Sequence, residues 1–380
     1  MNHLEEKDTQ KFVQDKIYHY YYSHPPAIPF IEKREFGFGT WEEKIAYRHL
    51  WFKTNSELVA RLLNDRPLFV SYSAAIYEFP DARPMTKKNW LGADLVFDLD
   101  AKHSEWDKEK KSLDCGKFTC QQCFDYIKEQ TQRLIDEFLI PDFGFSKSEI
   151  SLNFSGNRGY HVRISNEDVM PLTREERREI VDYLLANGIT FNDFFSSDGS
   201  KLLGPTPNQG GYFGKVAKSA ILLSQNPAIA TSISRKLRDK ANLEHFISGV
   251  QEGNWNKVGI PNKEKKFQRL FQKIISQLSV NVDSGVSIDT SKLLRMPDSI
   301  NGSSGLIAKR ISDLKSFEPT RDAVAFSSQP IKIRVIEPVR ELSFLNSTFG
   351  PFEPNSEQTV PESLAIYLIL KRAAILSNPI

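Results

Sequence analysis

The sequence has few cysteines, little net charge and no long apolar run. Only three of its 380 residues are cysteines, and this odd number excludes a closed set of disulfides. No stretch approaches the roughly 18 consecutive apolar residues that cross a membrane, and residues 1–8 lack the apolar core of a signal peptide. We therefore expect an intracellular protein. A formal net charge of +2 excludes a global positive field, so any nucleic-acid surface must be a local patch.

The stretch Leu91–Asp100 carries the strongest chemical signal. Its apolar residues predict one buried strand, on which Asp94, Asp98 and Asp100 share a face because successive side chains alternate. Two neighbouring carboxylates at the end of an apolar strand repel each other and lose hydration, which favours a shared divalent cation. Mg²⁺ and Mn²⁺ prefer such oxygen ligands together with substrate phosphates. A solvated strand end is the alternative.

A third carboxylate would complete a two-metal site for phosphoryl transfer. Asp283 is the first candidate, because residues 280–283 are predicted to form a returning strand. Asp289 is a rival, since Gly285 makes a turn between the two positions plausible. Taken alone, Asp283 fits an ordinary strand end.

A hairpin with a glycine-containing turn follows. Apolar alternation predicts strands over 150–154 and 160–164, joined by the turn Gly156–Gly159. The glycines let backbone amides approach a phosphate, and Ser155, Arg158 and His161 could place donors around it. An ordinary hairpin is the alternative.

A basic stretch, Lys292–Ser299, contains a further candidate. Its Arg295 could reach the same phosphates from the side opposite the hairpin. A solvated charged edge is the alternative.

The cysteines fall in one short segment together with a histidine. Its candidate zinc ligands are His103, Cys115, Cys120 and Cys123. The two-residue gap between the last two cysteines lets both thiolates bind one tetrahedral Zn²⁺. Four protein ligands leave no open position, which predicts a structural zinc site. His103 is the weakest of the four, and three thiols clustered by chance are the alternative.

The order of elements predicts the α/β class, with an α+β mixed-sheet core. We expect residues 1–169 and 279–380 to form this core, with a zinc-binding segment at 101–124, and residues 170–278 to form a mainly helical insertion. Apolar periodicity predicts a helix within 41–52, and a capping box at Thr54–Glu57 predicts another.

Together these residues resemble one family, the catalytic small subunit of archaeal and eukaryotic DNA primase. The resemblance covers nearly the whole chain and rests on the order of Arg34–Phe38, Leu95–Asp100, the His/Cys segment, Phe154–His161, Leu293–Ser299 and Pro361–Ile369. It implies the primase catalytic fold, with a zinc segment and a helical insertion. It also implies template-directed attack of a 3′-hydroxyl on the α-phosphorus of a nucleoside triphosphate, which makes short primers on single-stranded DNA and releases pyrophosphate.

The resemblance also implies roles for individual residues and the identity of partners. Mg²⁺ or Mn²⁺ would be held by Asp98, Asp100 and Asp283, and the nucleotide by Ser155, Arg158, His161, Arg295 and Arg34. Zn²⁺ would be structural. A large primase subunit would complete a heterodimer, located in the cytoplasm of an archaeon or the nucleus of a eukaryote, with no membrane involved.

Three features depart from the family pattern. Asn157 stands where the family often has arginine, Asn301 stands where it commonly has histidine, and residues 205–261 match no family motif. Two other functions stay open: a repair or damage-tolerance primase-polymerase, and a non-catalytic, zinc-stabilised nucleic-acid-binding protein.

Overall fold

The computed structural model describes residues 3–100 and 117–377. The α-helices are α1 (His3–Ser23), α2 (Asn55–Asp65), α3 (Gln121–Arg133), α4 (Arg174–Leu185), α5 (Phe191–Phe194), α6 (Gly211–Ser224), α7 (Pro227–Ile233), α8 (Lys240–Glu252), α9 (Lys263–Leu278), α10 (Ser284–Ile288), α11 (Pro319–Asp322) and α12 (Glu362–Leu370). Helix α3 continues into a π-helical turn over Leu134–Leu139. None of the described helices is long and apolar enough to cross a membrane.

The β-strands alternate with these helices along the chain. They are β1 (Phe36–Gly39), β2 (Tyr47–Leu50), β3 (Phe69–Ser73), β4 (Ala75–Tyr77), β5 (Trp90–Ala93), β6 (Leu95–Asp100), β7 (Ile150–Phe154), β8 (Gly159–Ile164), β9 (Ser196–Asp198), β10 (Lys201–Leu203), β11 (Leu293–Arg295), β12 (Arg310–Ile311), β13 (Pro330–Val335), β14 (Leu342–Phe344), β15 (Ser347–Phe349), β16 (Glu357–Pro361) and β17 (Ala374–Leu376).

The chain divides into two compact units. The first contains Met1–Gln132, Lys147–Arg178 and Val282–Ile380, and the second contains Arg133–Ser146 and Glu179–Asn281. Residues 133–146, assigned to the core in the sequence analysis, cluster with the second unit. The division into domains 1–169, 170–278 and 279–380 stays a prediction.

Antiparallel sheets form the first unit. One sheet has the strand order β11-β3-β1-β2, another β12-β7-β8-β6, and a third β16-β13-β17. Every strand pair between described residues is antiparallel. The expected combination of helices and sheets is confirmed, but the expectation of a mixed sheet is corrected to antiparallel sheets.

The region before β3 shows where local signals succeed and fail. Thr54 accepts a hydrogen bond from the Glu57 N–H at 3.3 Å and begins α2, as predicted. The helix expected within 41–52 is wrong, because Tyr47–Leu50 forms β2 and pairs with β1. Pairing with a neighbouring strand outweighs a short helical periodicity.

Helix α1 was not predicted from the sequence, although it fixes a loop near the candidate site. The Tyr20 hydroxyl donates to the Asp298 carbonyl at 3.0 Å, and the Ile300 N–H donates to the Tyr21 hydroxyl at 3.2 Å. The Asp298 carbonyl and the Ile300 N–H both lie just after β11, the strand that ends with Arg295. The helix therefore anchors the segment that follows that arginine.

The second unit has an aromatic core of its own. Trp255 lies edge to face with Phe195, Phe246 and Phe267, and its indole N–H donates to the Pro205 carbonyl at 2.8 Å. Residues 205–261 thus contribute the centre of this core. Trp255 buries its apolar ring while its indole N–H keeps a hydrogen-bond partner.

Candidate active site

Strands β6 and β8 bring the predicted carboxylates and hairpin residues to one face of a sheet. Asp98 lies opposite His161, and Asp100 lies opposite Gly159. Residues directly opposite each other in an antiparallel pair point to the same face. The Asp98 side chain is 18% exposed, and its Oδ1 lies 3.5 Å from Nε2 of His161. The hairpin predicted from apolar alternation is confirmed.

Gly159 makes the close approach of β8 to Asp100 possible. A Cβ at this position would collide with the Asp100 carboxylate and with the carbonyl of Leu99. Any side chain at Gly159 would therefore displace the Asp100 carboxylate or separate β8 from β6.

The hairpin turn is held by residues that follow β11. Asn301 donates its amide to the Ser155 carbonyl at 2.8 Å, and the Ser304 hydroxyl donates to the Gly156 carbonyl. Within the turn, the Gly159 N–H donates to the Ser155 hydroxyl at 3.2 Å. Gly156 has a φ of +80°, and a Cβ there would lie 2.7 Å from Asn301 Cβ, so glycine is required. Asn301 therefore positions the turn.

Two basic side chains near this face have lowered pKa values. Burial, with smaller effects of Arg163 and Arg295, lowers the pKa of His161 to about 4, although Asp100 acts in the opposite direction. Burial lowers the pKa of Arg295 to about 10, although Tyr21 opposes this shift. At pH 7 His161 is therefore neutral, while Arg295 is charged.

Arg295 is held against β3 with part of its hydrogen-bonding capacity unused. Its guanidinium donates to the Val70 carbonyl at 3.3 Å and lies 4.9 Å from the Phe69 ring centroid. Its buried Nε makes no hydrogen bond to any described residue. Because the Arg295 guanidinium is charged and has an unused buried donor, it could bind an anion. Arg158 is exposed at the tip of the hairpin.

Asp283 lies beside β6, but not on a strand. Its N–H donates to the Asp98 carbonyl at 2.9 Å. Its Oδ1 accepts from the Gly285 N–H at 2.9 Å and caps α10. The strand expected over 280–283 is wrong, because the aspartate side chain stabilises a helix start instead. Its rival, Asp289, follows α10 and accepts from the Ser291 hydroxyl at 2.7 Å.

The three aspartates have the oxygen ligands that a hard divalent cation prefers, and the Asp283 backbone is bonded to that of Asp98. Asp98 is half-buried, while Asp100 and Asp283 are exposed. Over the described ranges, no three His, Cys, Asp or Glu side chains converge closely enough to hold a metal ion, and the Asp283 carboxylate is engaged in its helix cap. Their role as ligands stays a prediction.

Asp94 separates β5 from β6, so the single strand expected over 91–100 is corrected to two. Arg163 donates to its carboxylate, Arg34 lies 3.1 Å from the same oxygen, and the Ser165 hydroxyl donates at 2.6 Å. Burial would raise the pKa of Asp94, but Arg163, Arg34 and Ser165 together lower it below its usual value. The Asp94 carboxylate forms ion pairs with two arginines and is not one of the predicted metal ligands.

Arg34 lies in this buried network. It is 5% exposed, and its other N–H groups donate to the carbonyls of Pro29, Ser73 and Ala74. Its donors are thus engaged by the protein, and the expected contact between Arg34 and a nucleotide stays a prediction.

Sequence reasoning missed two arginines that support β6. Arg163 pairs with Asp94, and Arg177 donates to the carbonyls of Ala93 and Asp94 at 2.7 and 2.9 Å. Strand alternation placed Arg163 on the face of His161, which was an available signal. The role of Arg177 depends on a contact between distant segments, for which the sequence carries no local signal.

Only part of the predicted zinc segment can be placed. His103 and Cys115 lie outside the described residues. Cys120 and Cys123 lie at the start of α3, with their Sγ atoms 3.4 Å apart. Two thiolates bound to one tetrahedral Zn²⁺ at about 2.3 Å are roughly 3.8 Å apart, so this pair fits the predicted site.

Comparison with known proteins identifies the family. A family model described as DNA primase small subunit matches residues 97–313, which is more than half of the chain. The chain belongs to the DNA primase small subunit family. The predicted identity is confirmed, and this primase small subunit is a DNA-directed nucleotidyltransferase.

Curated relatives of the primase small subunit match along nearly its whole length. The DNA primase small subunit PriS of Methanococcoides burtonii is 31% identical and covers 96% of this chain and 98% of its own. PriS of Thermoplasma volcanium is 32% identical, with 96% of each chain covered. A solved polymerase domain of Mycobacterium tuberculosis Ligase D, in complex with DNA, matches 82% of this chain and 83% of its own at 11% identity and a TM-score of 0.32.

Proposed function

We propose that the chain synthesises short primers on single-stranded DNA by joining nucleoside triphosphates under the direction of a template. The observation that carries this proposal is the sheet face on which Asp98 and Asp100 lie opposite His161 and Gly159, with the Asp283 backbone bonded to Asp98. Carboxylates that lie beside a phosphate-binding turn are the arrangement that nucleotidyl transfer requires.

Asp98, Asp100 and Asp283 would hold Mg²⁺ or Mn²⁺. The bound ions would lower the pKa of the attacking 3′-hydroxyl and neutralise charge on the triphosphate. Asp98 and Asp100 belong to β6, and the Asp283 backbone is hydrogen-bonded to that strand. The Asp283 side chain would have to exchange the Gly285 contact for the metal, which is a weak contact to lose at an exposed helix start.

The hairpin residues would bind and orient the triphosphate. Ser155 and the turn amides would donate to phosphate oxygens, and Arg158 would add charge at the tip. His161, which is neutral at pH 7 because burial lowers its pKa to about 4, can donate one hydrogen bond without adding charge. Arg295 has an unused donor for the same anion.

The decisive experiment measures nucleotide incorporation on single-stranded DNA with Mg²⁺ or Mn²⁺. Asp98→Ala and Asp100→Ala should lower incorporation by about 10³-fold or more, since loss of a metal ligand removes transition-state stabilisation of about 4 kcal/mol. Asp168→Asn, at an exposed position, is the matched control and should keep parental activity.

The outcomes separate this proposal from its rivals. Undiminished synthesis by either alanine variant would refute the mechanism. A parent that extends primers but cannot start without a 3′ end would favour a repair or damage-tolerance polymerase. A parent that binds DNA without incorporating nucleotides would favour the non-catalytic function.

A structural Zn²⁺ bound by His103, Cys115, Cys120 and Cys123 forms a second part of the proposal. Cys120→Ser should lower thermal stability before it lowers activity, because binding of a structural metal contributes folding free energy. Metal analysis of the purified parent provides the independent readout. A parent with no bound zinc and normal thermal stability would contradict the assignment.

The proposed partners are a large primase subunit, single-stranded DNA and nucleoside triphosphates, in an intracellular compartment. Copurification of the small subunit with a large subunit from the same source tests the heterodimer, and a monomeric elution profile in the presence of that subunit would contradict it.

A further inference from the structure

A lysine beside the hairpin turn is buried without a carboxylate partner. Lys371 follows α12 and is 8% exposed. Its Nζ donates to Asn157 Oδ1 at 2.8 Å and lies 5.3 Å from the Tyr367 ring centroid. No carboxylate within residues 3–100 and 117–377 forms an ion pair with it. A buried ammonium whose only described partners are an amide oxygen and a ring is costly unless an anion joins it.

A second cation, Arg158, acts electrostatically on this lysine. Burial, with the charge of Arg158 as the second cause, lowers the pKa of Lys371 to about 8. Arg158 is exposed at the tip of the same turn. The charge of Arg158 disfavours the ammonium form of Lys371, so an anion bound by both side chains would relieve this repulsion.

The turn also connects these cations with the carboxylate strand. Gly159 lies opposite Asp100, and the turn extends from there through Arg158 and Asn157 to Ser155. An anion with one end beside Asp100 and the other at the tip of the turn would meet Arg158 and Lys371 at its far end. A triphosphate, whose three phosphates are linked in a row, has the required shape and charge.

We propose that Lys371 is a further nucleotide-binding residue, which together with Arg158 binds the terminal phosphate of the incoming nucleoside triphosphate. This inference rests on the proposed function. Lys371 contributes charge from α12 to a turn whose other groups come from the β7–β8 hairpin. Discrimination between nucleoside triphosphates and monophosphates depends on Lys371.

The test compares Lys371→Met and Lys371→Arg in the full chain. In extension of a primed template, Lys371→Met should raise the KM for nucleoside triphosphates about tenfold, which corresponds to one charge-assisted hydrogen bond, and should leave kcat within twofold. Lys371→Arg should restore the parental KM. Lys11→Met removes the same charge from an exposed position on α1 and should change neither constant.

Calorimetric titration with ATP and with AMP, each with Mg²⁺, separates this role from a structural one. Lys371→Met should weaken ATP binding about tenfold and leave AMP binding unchanged. If Lys371→Met fails to fold, Lys371→Gln, which can still bond to Asn157, replaces it. Equal losses for ATP and AMP, or no loss for either, would overturn the inference. A parent without nucleotide incorporation would instead overturn the proposed function.

Discussion

The two ends of strand β6 carry carboxylates on the same face in opposite environments. Asp94, at one end, has a side chain that is 2% exposed and is matched by Arg163, Arg34 and Ser165. At the other end, Asp98 has a side chain that is 18% exposed and lies opposite a neutral histidine. The residue type and the face do not decide what a carboxylate does. The charge of the residues that surround it does.

This difference separates a structural role from a chemical one. At the Asp94 end, guanidinium groups occupy the positions that a metal ion would need. At the end with Asp98 and Asp100, the strand reaches solvent, and the lack of a side chain at Gly159 accommodates the Asp100 carboxylate. The environments of the two ends therefore predict opposite effects for the same substitution.

The largest expected effect on stability is that of Asp94→Asn. The substitution leaves Arg163 and Arg34 buried without their anion, which should lower the free energy of unfolding by about 3–5 kcal/mol. Urea unfolding followed by circular dichroism measures it. Asp98→Asn is the matched variant, which should change stability by less than about 1 kcal/mol while it abolishes activity. Similar losses of stability in both variants would remove the distinction between the two ends.

Gly159→Ala tests the open end of the strand directly. The added methyl group collides with the Asp100 carboxylate and the Leu99 carbonyl, so we expect a loss of about 1–3 kcal/mol in stability from overpacking, with lower activity. Gly210→Ala is the control, because a Cβ there meets no heavy atom within 4 Å and its φ is −76°. It should change stability by less than about 0.5 kcal/mol. Full activity of Gly159→Ala would show that the close approach of β8 to the Asp100 carboxylate is not needed for activity.

The smallest expected effect concerns the pH dependence of nucleotide binding. Burial and Arg158 lower the pKa of Lys371 to about 8, so the ammonium loses its proton as the pH rises through that value and then attracts phosphate less. Tyr367 stays neutral, since burial raises its pKa, and arginine stays charged throughout. The KM of the parent should rise between pH 7.5 and 9.5, by up to about tenfold, or about 1.4 kcal/mol.

The control for this pH dependence is Lys371→Arg. Its KM should not rise over the same range, because a guanidinium keeps its charge there. Parallel pH profiles for the parent and Lys371→Arg would assign the titration to a different group.

Sequence patterns predicted those parts of the site that depend on neighbours in the chain. Strand alternation placed Asp98, Asp100 and the β7–β8 hairpin correctly, because burial on one face imposes a period of two residues. The capping box at Thr54 likewise marked the start of α2. In each case, a few adjacent residues contain the whole physical cause.

The parts that could not be predicted depend on contacts between distant segments. Arg34 has the side chain of a typical phosphate ligand, but its guanidinium forms an ion pair with Asp94, which is far away in sequence. Residues 280–283 have the alternation of a strand, but the Asp283 carboxylate bonds to Gly285 and starts a helix. The buried face of α1 and the lysine at the turn became apparent only when the fold brought their partners together.

The attachment of Arg177 and Asp283 has a consequence for how this chain can vary. Arg177 bonds to the carbonyls of Ala93 and Asp94, just before β6, and Asp283 bonds to the Asp98 carbonyl within that strand. Between them the chain forms most of the second unit. Because the cost of closing a loop grows slowly with its length, evolution could lengthen, shorten or rebuild the chain between Arg177 and Asp283 while both residues keep these backbone bonds.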